Sequence, residues 1–220
     1  QVTICAGGGL SMRIAAPIGA AASQVGTLIM WATEQAPLVM GILVSVIVGV
    51  ALTLPISSAA ICAALGLTGL AGGAAVAGCC AQMVGFAVMS YKENGVGGLV
   101  SQGLGTSMLQ MGNIIKNPRI WIAPTLASAI TGPLATCLFH FEMNGAAVSS
   151  GMGTCGLVGQ IGVYTGWVSD IAAGTKAAIT PMDWAAMVLL CFVLPAVLSV
   201  VFCEVERKLG WIKEGDLKLN

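Results

Sequence analysis

The sequence predicts an all-α, polytopic integral membrane protein with an inverted repeat and re-entrant glycine-rich hairpins. Three observations carry that fold class. Of its residues 57 % are hydrophobic and only 8 % charged, far from the roughly 25 % charge usual in soluble domains. Several apolar runs reach the roughly 20 residues that a helix needs to cross a bilayer, and the longest charge-free run, Gln35 to Tyr91, has room for more than one crossing. Thirty glycines in such a chain point to close helix contacts or to interrupted, re-entrant backbone, since both need residues without bulk.

Taken in order, the first expected span runs from Ile14 to Trp31, between Arg13 and Glu34, and is interrupted by Pro17 and Gly19. Leu38 to Leu54 is a cleaner span, rich in Val, Ile and Leu and closed by Pro55 and Ser57-Ser58. Ala59 to Ser90, built almost wholly of small residues, reads either as two tightly packed crossings or as a long re-entrant hairpin. Tyr91 to Ile120 turns polar, with Lys92, Glu93, Lys116 and Arg119 among apolar anchors, which fits an interfacial segment. Trp121 to Phe139 is the next span, with breaks expected at Pro124 and at Gly132-Pro133. Ala146 to Trp167 is glycine-rich and too irregular for an ordinary crossing. Met182 to Cys203 is the last span, followed by a charged tail with Glu204, Glu206, Arg207, Lys208, Lys213 and Lys218.

Basic residues collect in short cytoplasmic loops, so the tail and the Lys92 to Arg119 segment belong on the cytoplasmic side. If Trp121 to Phe139 leaves that side and Met182 to Cys203 returns to it, Ala146 to Trp167 must begin and end on the outer side as a re-entrant hairpin. The same count puts Glu34 outside and Arg13 inside. A self-comparison agrees: Ala59-Ala60-Ile61, Gly66, Gly69-Leu70 and Gly72 align without gaps to Ala146-Ala147-Val148, Gly153, Gly156-Leu157 and Gly159. The repeat units, 34–90 and 121–168, would be oppositely oriented, as in many secondary transporters.

The functional stretch is Phe139-His140-Phe141-Glu142-Met143-Asn144-Gly145. It holds the chain's one histidine and the one charge between Arg119 and Asp170. A lone carboxylate in apolar sequence is costly and is kept for an interaction or a use; the bland alternative is a surface turn whose Glu142 simply faces water. Glu142 can accept hydrogen bonds from ligand hydroxyls and His140 can donate or accept, while Asn144, Ser149, Ser150, Thr154 and Gln160 add uncharged donors and acceptors. That mixture suits a polyol or sugar better than an anion, unless these groups only satisfy broken backbone.

Other chemistry is excluded or weakly signalled. Nine basic and nine acidic side chains balance, which leaves no field for nucleic acid. Gly151-Met-Gly153-Thr-Cys-Gly156 matches a dinucleotide pattern but lacks the βαβ context that would give it meaning. The eight cysteines include no CxxC pair and read as small packing residues with free thiols. A single histidine supplies no metal cluster, and no Walker sequence or nucleophile elbow occurs. The expectation is a non-enzyme without cofactor or metal.

Asn117-Pro118-Arg119-Ile120-Trp121-Ile122-Ala123-Pro124-Thr125-Leu126-Ala127-Ser128-Ala129-Ile130-Thr131-Gly132-Pro133-Leu134-Ala135-Thr136, then Gly151 to Gln160 and the tail Leu209-Gly210-Trp211-Ile212-Lys213-Glu214-Gly215-Asp216, resemble the EIIC-like membrane family of the phosphotransferase system, of the perfringolysin-regulator (PfoR) type. The resemblance covers most of the chain. It implies one EIIC-like transmembrane domain over 1–220, lacking its N-terminal helices, in a bacterial cytoplasmic membrane. It also implies a homodimer that moves a sugar-like solute, served by a separate EIIB-like protein, since the sequence carries no phosphorylatable EIIA or EIIB domain. In such proteins a glutamate near re-entrant tips, at times with a histidine, binds sugar hydroxyls; Glu142 and His140 match in kind, although the usual glutamate motif is not reproduced residue for residue. The alternative that the resemblance implies is a membrane-embedded solute sensor that regulates gene expression without transport.

Overall fold

A computed structural model of the chain describes residues 22–219, which form helices and the loops between them. In chain order the helices are α1 (22–35), α2 (Pro37–Thr53), α3 (Ser58–Leu65), α4 (Gly69–Met89), α5 (Tyr91–Val100), α6 (Met111–Lys116), α7 (Pro118–Leu138), α8 (Val158–Ala172) and α9 (Pro181–Lys208). Among the described residues α4, α7 and α9, with 21, 21 and 28 residues, are long and apolar enough to cross a membrane, and α2 is a shorter apolar helix of 17. The expected span from Ile14 lies partly outside the described residues, as does Arg13; its remainder is helical through residue 35.

The centre of the fold is α4, buried without interruption from Ala71 to Ala87, as a helix apolar on every side must be. It is enclosed by α2, α7 and α9. The small residues make that enclosure possible: a Cβ on Gly78 would stand 2.0 Å from the Ser45 carbonyl oxygen of α2, so the two backbones meet there directly.

Hydrogen bonds fix the helix directions and define two ends. At one end the Pro37 carbonyl, opening α2, accepts from Thr136 near the close of α7, and Gly69, opening α4, exchanges backbone hydrogen bonds with Met143. At the other end Thr53 meets Ser107, Gln102 donates to Ser90, and Glu204 of α9 pairs with Lys92. Thus α2, α4 and α9 run one way and α7 the other. The segment from Lys92 to Arg119 and the tail share one end, as their charge predicts, and Glu34 lies with the opposite end.

Ala146 to Trp167 forms a hairpin that begins and finishes at one end of the bundle. After α7 the chain crosses that opposite end in extended form, descends through a 3₁₀ turn (Ala147–Gly151) and reverses at residues 152–157. The reversal lies beside Cys79 and Cys80, about 16 Å along α4 from Gly69 at 1.5 Å per residue. Then α8 climbs back, so that Asn144 and Asp170 are hydrogen-bonded neighbours. Ala59 to Ser90 is neither of the two expected arrangements: α3 is a half-length helix of eight residues, and only α4 is a full crossing. These two interrupted elements pack together, with Ser58 donating to the Gly151 carbonyl and Ser150 to that of Leu67. In the two segments that align in sequence two glycines are left-handed at matching places, Gly66 and Gly69 at φ 62° each, Gly153 and Gly156 at 53° and 52°, whereas Leu157 at φ 58° has no left-handed counterpart at Leu70; glycine adopts this conformation without steric cost.

Three expectations about helix breaks and ends are corrected. Pro124 does not break α7, because α7 opens with a 3₁₀ turn (Pro118–Trp121) and Pro124 sits in the first turn of the α-helical part that starts at Ile122, where a missing N–H costs little. The pair Gly132-Pro133 gives a π turn over Leu134–Leu138 in place of a stop, the wider turn absorbing the lost hydrogen bond. Likewise α9 does not end at Cys203 but continues to Lys208, held by an ion pair of 3.0 Å between Arg207 and Glu93.

Candidate functional site

The stretch from Phe139 to Asn144 alternates along its length. Phe141 and Met143 are 3 % and 0 % exposed and belong to the core, whereas His140 and Glu142 are exposed and Asn144 is half-buried. This is the two-residue period of extended chain. The Met143–Gly69 bridge and a bond of 2.8 Å from the Phe141 N–H to the Ala135 carbonyl hold it in place. Close approach to α4 again requires glycine, since a Cβ on Gly73 would fall 1.6 Å from the Phe141 carbonyl oxygen. His140 bends the chain with φ 44°, a left-handed value uncommon outside glycine and found disproportionately where function demands it.

Above this segment opens a cavity of about 610 Å³, within the range of small-molecule sites. His140, Glu142 and Asn144 line one side, Trp167 and Asp170 of α8 another, and Lys176 with Asp183 of α9 the third. Asn144 Nδ2 donates to Glu142 Oε2 at 3.1 Å and to Asp170 Oδ2 at 2.9 Å. Asp183 is more fully engaged: one oxygen accepts from Lys176 Nζ at 2.8 Å and the other from the backbone N–H and hydroxyl of Thr180. The Asp183 N–H answers to the Thr180 hydroxyl, closing a capping box that starts α9 at Pro181. Lys176 Nζ also stands 5.2 Å from the Trp167 ring centre, and Trp184 meets that ring edge-on at 5.6 Å.

Of the residues singled out in the sequence, the structure brings His140, Glu142 and Asn144 together around the cavity. The other four line a different region. Ser149 packs against Gly162 of α8, Ser150 donates to the Leu67 carbonyl, Thr154 donates to the Gly103 carbonyl, and Gln160 Nε2 lies 3.2 Å from Cys80 Sγ. Ser150 and Thr154 therefore satisfy backbone carbonyls of the segments that the hairpin packs against. Sequence reasoning did not assign Trp167, Asp170, Lys176 or Asp183 to the site. The Thr180-Pro-Met-Asp183 pattern marks a helix start in sequence, but nothing local ties it to Glu142. No group of three His, Cys, Asp or Glu side chains among the described residues is arranged to hold a metal ion.

A long buried helix, two interrupted elements packed together, and a polar cavity at the end where the hairpin begins and finishes are features of a helical membrane protein with broken elements. The family described as phosphotransferase system, EIIC, matches residues 1–219, and the chain belongs to that family. The match does not single out the perfringolysin-regulator type. No curated protein and no solved structure matches the chain.

Proposed function

We propose that this chain is the solute-binding and translocating part of a multi-pass carrier for a small polar organic solute, a sugar in the first instance, in the bacterial cytoplasmic membrane. The observation that carries the reading is the cavity, where Glu142, His140 and Asn144 project from an extended segment that joins a full-length helix to a re-entrant hairpin. Glu142 accepts hydrogen bonds from solute hydroxyls, Asn144 and His140 contribute further polar contacts, and Trp167 supplies an aromatic wall. Ser149, Ser150, Thr154 and Gln160 shape the hairpin behind it. Units 34–90 and 121–168 act as oppositely oriented repeats, a reading supported by their opposed long helices and matched left-handed glycines. The functional unit is a homodimer, and a separate EIIB-like protein meets the end that carries Lys92, Lys116, Arg119 and Lys208.

Uptake of a labelled panel of sugars and polyols into sealed liposomes tests this. Saturable entry of at least one, lost in Glu142→Gln, is the expected result. Saturable binding without entry would instead make the protein a membrane-embedded sensor.

A further inference from the structure

The proposed solute cavity is divided by charge into a filled half and an open half. In the filled half an ammonium is already seated: Lys176 Nζ lies 2.8 Å from the Asp183 carboxylate and 5.2 Å from the centre of the Trp167 ring. A carboxylate beside an aromatic face is a general means of holding a cationic amine. In the open half Glu142 and Asp170 share a single donor, the Asn144 amide nitrogen, so their two accepting oxygens are no more than two hydrogen-bond lengths apart. An amide adds no charge, and Lys176 is committed to Asp183. His140 is the remaining basic side chain of the lining.

Resting on the reading of this cavity as the solute site, we propose that it selects an amine-bearing polyol, of the amino-sugar class, over a neutral sugar and rejects sugar acids. A neutral solute can offer the two neighbouring carboxylates only hydroxyl hydrogen bonds and leaves their mutual repulsion in place. An ammonium placed between Glu142 and Asp170 offsets their repulsion and forms charge-assisted hydrogen bonds, about twice as strong as neutral ones. An anion would add a third like charge. The hydroxyls of the ring meet Asn144 and His140, and the apolar face of the sugar lies toward Phe139.

Calorimetry on the protein in nanodiscs, with glucosamine, glucose and glucuronate at mildly acidic pH where the amine holds its proton, decides the matter. Glucosamine should bind at least about tenfold tighter than glucose, and glucuronate should give no detectable heat of binding. Asp170→Asn should bring the glucosamine-to-glucose ratio close to one, with an unchanged melting curve in the absence of solute; Asp170→Ser serves if the first variant does not fold. Glucose bound as tightly as glucosamine, or a preference that survives loss of the Asp170 charge, overturns this inference and leaves the cavity as a sugar site. Binding of none of the three overturns both.

Discussion

The two ends of the helix bundle are both rich in amide and carboxylate side chains, and they use them in opposite ways. At the end that carries the tail, Asn94, Gln110 and Asn113 donate to the carbonyls of Leu217 and Lys218, Asn117 to that of Trp211, and Glu93 accepts from the Leu217 N–H. Gln102 and Gln110 are fully buried there, together with Leu217. At the cavity end, Glu142, Asp170 and Asn144 meet mainly one another, around open space. Polar groups that find backbone partners hold the fold together, because an unpaired buried group is expensive. Polar groups that face one another across a cavity retain capacity for a ligand.

The sharpest way to break this contrast is to remove one member of the ion pair at the tail end. Arg207 and Glu93 are 17 % and 10 % exposed in their side chains, and loss of one partner of a fully buried pair costs about 3 to 5 kcal/mol, an upper bound for this part-buried one. Arg207→Ala should therefore lower the melting temperature strongly, while calorimetry on the folded fraction shows unchanged solute affinity. A weakened affinity at unchanged stability would erase the distinction between the ends.

The mirror experiment is Glu142→Gln, which keeps the shape and removes the charge. Hydrogen bonds to charged groups contribute about 1.5 to 3 kcal/mol, so affinity for the best-bound solute should fall roughly tenfold to a hundredfold. The melting curve without solute should not move. If stability falls and affinity does not, Glu142 is a structural partner of its own loop.

A smaller effect is expected at His140, whose left-handed backbone costs a non-glycine residue about 1 kcal/mol. His140→Gly should leave stability equal or raise it by up to about that amount, yet weaken solute binding. Thermal melting paired with calorimetry separates the two, and lower stability with intact binding would make the imidazole a structural group.

The smallest effect belongs to Lys92→Ala. Its pair with Glu204 is largely exposed, 72 % and 47 % in the two side chains, and such pairs are weak and screened by salt. Melting temperature and affinity should both match the parent protein.

The sequence by itself determined the all-helical membrane class, the position of α2, α7 and most of α9, the hairpin of Ala146 to Trp167, and the grouping of Glu142, His140 and Asn144 in one polar stretch. It also contained the apolar-polar alternation of Phe139-His140-Phe141-Glu142-Met143-Asn144, which marks an extended segment with one face inward. These features are local, since hydropathy, period and charge cost act over a few residues at a time. Only the tertiary structure decided that Ser150 and Thr154 satisfy backbone, and that Asp170, Lys176, Asp183 and Trp167 complete the cavity. Their meeting with Glu142 depends on how deep the hairpin descends along α4 before it turns. The hairpin reverses there through left-handed residues at Gly153, Gly156 and Leu157, and no pattern within a single segment encodes which distant side chains the returning helix carries to the same end.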